Sequence, residues 1–425
     1  MFKKIQGVFL SILLFSFFSF SVFSATLHVP SNYSSIQAAI NASSNGDTIL
    51  VGPGTYNEDI NFNGKAVELK SSGGPEVTTI LGTGTNSVVK AISGEGTNTI
   101  LDGFTVTGGT GSLWLGDSTL VGGGMRIQNQ SSPTVKNCIF KNNTAMQGAG
   151  IWAYSGGPQI LDSTFENNQA LGVSTEGAGM KLLGSWGLVS NCRFINNEVQ
   201  SFGGGIHIQS GYPYIVNSLF YGNSAGFGGA INNQAGIPSI INSTVSGNSS
   251  NFGGGIRSNA GTVYLKNSIL WENSSDEIYL LGGAILNTNY SNISGGWGDP
   301  DFNFDYDPQF MDPENGDFRL QETSPLINTG SNELYYGNPE GSLDLDGNPR
   351  LVGDNIDLGP YEFQGTGLET CQGDLNDDGL VDSIDFLELL SAWGVNPGHP
   401  ADFDQNGLVE TIDMLTLLSN WGECN

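Results

Sequence analysis

Two stretches near the end of the chain set hard oxygen ligands at the spacing of a calcium loop. Asp374, Asn376, Asp378, Asp382 and Asp385 stand at positions 1, 3, 5, 9 and 12, Leu380 offers a carbonyl at position 7, and Gly379 permits the sharp turn between. The pattern recurs as Asp402, Asp404, Asn406, Leu408, Glu410 and Asp413 around Gly407. Carboxylates crowded this way repel one another without an ion, so the segment is expected to hold two Ca2+ ions and to depend on them for folding. Residues 371–425 carry eleven acidic side chains and no Lys or Arg. Cys371 and Cys424 bracket them, which in an exported chain predicts a disulfide.

A second set lies earlier. Arg126, Trp152, Lys181, His207, Asn232 and Arg257 each follow the first glycine of a glycine-rich triplet by four residues, and Tyr154 lies two residues beyond Trp152. Cations, an aromatic platform and amides are what a polyanionic or neutral glycan would meet. Arg126, Trp152, Tyr154, Lys181, His207 and Arg257 are therefore the candidate substrate-binding residues, against the plainer reading of a solvated strand face. No Asp or Glu stands in these columns. Lyase chemistry needs a carboxylate cluster with a base, and hydrolysis needs at least two carboxylates, so binding is favoured over cleavage. The longer corners at 113–120 and 171–176 are the places from which further groups would come.

The triplets belong to a repeat. Phe140, Phe165, Phe194, Phe220, Val245 and Leu270 each precede an asparagine by three residues, at spacings of 25, 29, 26, 25 and 25. The triplets open at Gly122, Gly148, Gly177, Gly203, Gly228, Gly253 and Gly282. A unit this short, rich in Gly, Asn and Ser, does not form a core alone and makes poor helix, so it must stack as strands joined by tight corners. Alternation after each triplet, as in Ile206-His207-Ile208-Gln209, sets one side to the core and the other outward. Equivalent residues then form ladders about 4.8 Å apart. Asn143, Asn168, Asn197, Asn223, Asn248 and Asn273 make one ladder; Asn137, Asp162, Asn191, Asn217, Asn242 and Asn267 make another. Five ladder steps put Arg126 to Arg257 on a line roughly 20 Å long. Cys138 and Cys192 fall two coils apart, about 9.6 Å, beyond the reach of a disulfide, and are read as buried thiols.

These features resemble the right-handed parallel β-helix of the pectate lyase type, and the pairing of Phe-x-x-Asn with Gly-Gly-Ala-Ile resembles the repeats of polymorphic outer-membrane protein passengers. The resemblance implies an all-β solenoid. Residues 31–60, with Ile36, Ala39 and Ile40 at helical spacing behind Ser34 or Ser35, look like the cap helix and first strand of carbohydrate-active β-helix proteins. Between 287 and 364 the repeat decays into segments such as Asp-Pro-Gln-Phe and Asp-Leu-Gly-Pro-Tyr-Glu-Phe. That series resembles the choice-of-anchor ending of exported bacterial proteins and implies irregular last coils with a C-terminal cap. Asp344, Asp346 and Asn348 read as an Asp-Gly turn rather than a cation loop. The paired calcium loops, each with Asp at position 12 and an apolar segment after it, resemble a type I dockerin. That likeness makes Ser383-Ile384 and Thr411-Ile412 the partner-recognition positions and a cohesin-type protein the partner. A calcium-stabilised cap or anchor is the alternative for this small helical module.

The expected organisation is a signal peptide at 1–24, a β-helix domain at 25–365, a linker at 366–370 and the calcium module at 371–425. Lys3 and Lys4 precede an apolar run that is short for a membrane span. No later stretch is apolar enough to cross a bilayer, so the mature chain is expected outside the cell or on its surface. Net charge is −28, which excludes nucleic acid as a natural partner. The favoured function is an exported protein that binds polysaccharide or cell-surface glycan and is attached through the calcium module. The alternatives are a carbohydrate-active enzyme, first a polysaccharide lyase and then a glycoside hydrolase, and a structural adhesin-like protein.

Overall fold

A computed structural model describes residues 24–114, 118–297, 302–365, 373, 375, 380–395, 399–403 and 407–423. The positions read as signal peptide at 1–23, the linker, Cys371, Asp374, Asn376, Asp378, Asp404, Asn406 and Cys424 lie outside the described residues.

Three parallel sheets, of eleven, nine and eleven strands, wind round one core as a solenoid of about eleven coils. The first sheet runs from Thr26–Val29 to Ile285–Asn289, the second from Ile60–Asn61 to Ile278–Leu280, and the third from Gly54–Asn57 to Asn303–Phe304. A typical coil passes from the second sheet (Ile206–Gly211) to the first (Tyr214–Val216) and the third (Leu219–Tyr221). The phenylalanines stack through the core: Phe140, Phe165, Phe194 and Phe220 have ring centroids 5.2, 4.7 and 4.7 Å apart, with planes within 7°. Their spacing is the coil rise, so side-chain stacking and backbone pairing share one period.

The first asparagine ladder is buried and unbroken. Each amide donates to the Oδ1 of the next coil's asparagine at 2.9–3.1 Å, from Asn143 through to Asn273. Each amide also donates to a strand carbonyl one coil back, as Asn197 does to Phe165 at 2.9 Å. At the last step Asn273 meets the Glu277 carboxylate, which accepts from its backbone N–H at 3.0 Å and ends the ladder. The second column has a different cause. Its residues all take positive φ, 46–54°, at the corner between the first and third sheets, a conformation Asn and Asp tolerate better than other side chains.

Ile36–Ala42 forms the expected cap helix, with the Ser35 hydroxyl accepting from Ala38 N–H and Ile36, Ala39 and Ile40 buried. Cys138 and Cys192 are free and buried, and burial pushes both thiols up to about 12. Asp344 accepts from the backbone N–H of Asp346 and Asn348, as a turn rather than a cation loop.

Two expectations need correcting. Gly282 does not open a seventh triplet. Leu286 pairs with Val263 in the first sheet, and the ladder after Arg257 continues to Tyr279, because Glu277 follows Gly255 in register and the glycine pair has moved to the next corner. The segment after Phe304 also does more than cap the end. It doubles back over the outer face of the third sheet, where Phe310, Phe318, Leu320, Leu326, Leu345, Leu358 and Tyr361 cover Leu219 and Ile269. Arg193 donates to the Leu345 carbonyl and to Asp346, both at 2.9 Å. This clasp explains why outward positions at 219 and 269 are apolar.

In the tail, helices Ser383–Ser391 and Thr411–Ser419 each follow a short strand. Leu380–Val381 pairs antiparallel with Gly422–Glu423, and Gly394–Val395 with Leu408–Val409, so each loop strand pairs with the segment behind the other helix. Val381, Leu389, Ala392, Ala401, Val409 and Leu417 form its core.

Candidate functional site

The second sheet aligns the candidate residues as expected. Lys90, Arg126, Trp152, Lys181, His207, Asn232, Arg257 and Tyr279 are paired in that order across successive strands. They do not form an open line. Trp152 is 0%, His207 1%, Lys181 2% and Arg126 9% exposed. The reason lies in the glycine triplets. Gly203 has φ +72°, and a Cβ there would lie 2.5 Å from Ile206 O and 2.8 Å from His207 N. Glycine thus turns the chain so tightly that the residue before each triplet lies against the residue four beyond its first glycine. Val121, Gln147, Glu176, Phe202 and Phe227 form the facing column, bridged coil to coil. The two columns are opposite walls of a cleft.

The line divides into two parts. At one end Trp114 lies 5.5 Å from the Trp152 ring and 6.0 Å from Tyr154, and the Leu113 carbonyl accepts from Arg126 Nη1 at 3.0 Å. Gln128 takes the other edge of the same guanidinium, from Nε at 2.9 Å and Nη2 at 2.6 Å. Trp114, on the corner from which further groups were expected, covers Trp152 instead, so that indole is not a platform for a sugar.

At the other end the residues converge. Glu176 comes from the facing column and forms an ion pair with Lys181, whose ammonium also donates to Gln147 at 2.9 Å. Arg257 Nη1 donates to Asn232 Oδ1 at 2.8 Å, and its guanidinium lies 5.6 and 5.1 Å from the Phe202 and Phe227 ring centres. Asn232 Nδ2 lies 2.9 Å from His207 Nδ1. Burial first, then Lys181 and Arg257, drives the His207 pKa down to about 3, so the ring is neutral at ordinary pH. Glu176, Phe202, His207, Asn232, Gln234, Arg257 and Asn259 line a cavity of about 130 Å³. Phe227, Phe252 and Tyr279 continue the aromatic row at 5.7 and 5.1 Å, and Phe252 is 41% exposed. Glu176 ends the corner at 171–176 from which further groups were expected, whereas Phe202 and Phe227 beside it were missed in the sequence; their signal was the position just before each triplet.

Residues 31–186 match the model of the family described as right handed beta helix region. The coil is a right-handed parallel β-helix. A cell surface glycoprotein of Methanothermus fervidus is 30% identical over 137 residues, 31% of this chain and 19% of its own length. The chain thus covers about a fifth of that relative. Among solved structures, pectate lyase Pel9A aligns with a TM-score of 0.48 at 18% identity, over 80% of this β-helix chain and 96% of its own.

In the tail, Asp385 and Asp413 are fully buried at the two position-12 sites. Asp385 accepts from Leu375 and Asp382 N–H, both at 2.8 Å, and Asp413 from Phe403 and Glu410 N–H at 2.8 and 2.9 Å. Each carboxylate ties the start of its loop to the start of its helix. Asp402 Oδ2 accepts from Gly407 N–H at 2.8 Å. That donor set suits a hard cation. No group of three or more His, Cys, Asp or Glu gathers for a metal among the described residues. Ser383, Ile384, Thr411 and Ile412 are exposed at the first turns of the two helices. No described helix is long and apolar enough to cross a membrane.

Proposed function

We propose that this chain is an exported, surface-associated protein whose β-helix binds polysaccharide and whose tail, folded round two Ca2+ ions, attaches it to a cohesin-type partner. The observation that carries the glycan reading is the cleft of Glu176, Phe202, His207, Asn232 and Arg257, with Gln234 and Asn259 in the same lining. It combines what sugar recognition uses: aromatic walls, amides, a cation and a carboxylate in one concave site. The relative named as a cell surface glycoprotein supports the location. Cleavage is the weaker reading, because glycoside hydrolysis takes two carboxylates and Glu176, the one acidic residue lining this cleft among the described residues, is already paired with Lys181.

The test is retention of the calcium-loaded chain on a panel of immobilised polysaccharides, with absorbance followed for unsaturated products. We expect retention without new absorbance, and Arg257→Ala should weaken it by roughly 1–3 kcal/mol with unchanged melting. Retention of no glycan would reject the reading, and new absorbance would make the protein a lyase. For the tail, Asp374→Ala and Asp402→Ala should each abolish calcium binding at their own loop and lower the melting point of the module. Calorimetric titrations equal to the parent in both variants would remove calcium from the account.

A further inference from the structure

The cleft contains a donor and an acceptor that no protein group brings together. Asn232 Oδ1 is occupied by Arg257, so its amide is oriented with Nδ2 toward His207, and Nδ1 of that ring must accept. The proton of the neutral ring therefore sits on Nε2. That nitrogen is buried without a hydrogen-bond partner and lies 3.9 Å from Glu176 Oε2, too far for a direct bond. One oxygen atom set beside the line between them reaches both at ordinary hydrogen-bond lengths, about 2.7–2.9 Å. Arg257 Nε, on the same wall, is likewise buried without a partner.

We infer that this cleft selects neutral sugar residues, seating one hydroxyl between His207 Nε2–H and Glu176 Oε2 and a neighbouring hydroxyl at Arg257. The inference rests on the glycan reading above and names the sugar class. A hydroxyl accepts from Nε2–H through a lone pair and donates its own proton to the carboxylate. A uronate carboxylate or a sulfate ester has only acceptors, and in the same place it would set an anion against Glu176. Lys181 does not relieve that conflict, because its ammonium is already engaged by Glu176 and Gln147. The cations that left a polyanionic glycan open in the sequence are thus mostly engaged inside the protein: Lys181 pairs with Glu176, and Arg126 donates to Gln128 and the Leu113 carbonyl.

The experiment compares matched polymers on the full calcium-loaded chain, a neutral galactan against polygalacturonate and a neutral mannan against alginate. We expect at least tenfold tighter binding of the neutral member of one pair. Glu176→Gln should lose most of that preference, because the amide can donate to a carboxylate, and His207→Phe should weaken the neutral polymer at least tenfold. Parent binding that shows no tenfold preference for the neutral member in either pair overturns the hydroxyl assignment and leaves the glycan reading standing. Binding of none of the four polymers overturns the assignment and, with an empty panel, the glycan reading as well. If either variant melts below the parent, the parent's own preference decides.

Discussion

Asn197→Ala is expected to destabilise the solenoid by about 3–5 kcal/mol, although the side chain is small, polar and remote from the cleft. Its Oδ1 accepts from Asn168 Nδ2 at 2.9 Å and from Asn168 N at 3.1 Å, and its own amide serves the Phe165 carbonyl and Asn223. Truncation leaves the Asn168 N–H without its acceptor in a site with no access to water. One or two orphaned groups cost about 1–3 kcal/mol each, and the cavity adds to that. Asn191→Ala is the control. Asn191 sits at a left-handed corner with φ 54°, where loss of the side chain should cost about 1–2 kcal/mol. Denaturant melts that place both variants within experimental error of each other would show that the ladder contributes no more than a corner.

The second large effect is expected at Arg350, which is fully buried inside the clasp. Its guanidinium meets Glu362 and donates to the Asp357 and Gly359 carbonyls at 3.0 and 2.8 Å. Arg350→Met leaves Glu362 and Asp357 buried without their cation, a loss of about 3–5 kcal/mol. Hydrogen exchange should then rise along the third sheet at Leu219 and Ile269. Adding Glu362→Leu should restore only part of the stability, because Asp357 stays buried without a cation and the Val352 and Asp357 N–H groups lose their acceptor. The same cluster predicts a pH dependence. Burial first, and then the Asp357 carboxylate, raises the Glu362 carboxyl to about 8 against the pull of Arg350. The folded chain thus holds this proton more tightly than the unfolded chain. Its contribution is full below the ordinary value of 4.5 and is lost as pH rises through about 8. Melting of the parent should fall between about pH 5 and 8 more steeply than that of Glu362→Gln. Parallel profiles would place the proton elsewhere.

The coil was legible because its two repeat columns are uniform in residue type. A large apolar residue three before an asparagine, Phe in four of the six units, and the glycine triplet recur from coil to coil, and each has a single physical cause, apolar stacking with an amide ladder and a tight turn. The cleft was only half legible. The column holding His207 and Arg257 could be found by alternation, but its facing column runs Val121, Gln147, Glu176 and only then turns aromatic at Phe202 and Phe227. Alternation says which side of a strand points away from the core; it does not say that the next corner folds over that side. Trp152 was misjudged for this reason. The clasp escaped because its contacts join residues far apart in sequence, such as Arg193 and Leu345, and its one local sign was apolar side chains at outward positions 219 and 269.

The clasp also sets where the molecule is free to change its length. It grips the third sheet over the consecutive strands that carry Arg193, Leu219, Thr244 and Ile269, reaching from Asp346 at Arg193 to Ser331 and Gly359 at Asn267. A strap of fixed reach tolerates one number of coils beneath it. A whole unit inserted or removed there would misplace every anchor at once. Upstream of Arg193 nothing spans several coils in this way among the described contacts, and a unit of 25 residues, such as Phe140 to Phe165, begins and ends at the same point of every ladder. Duplication in that half lengthens the rod by about 4.8 Å per copy while leaving the cleft and its strap unaltered. The chain is in effect a ruler with one end locked and the other extensible.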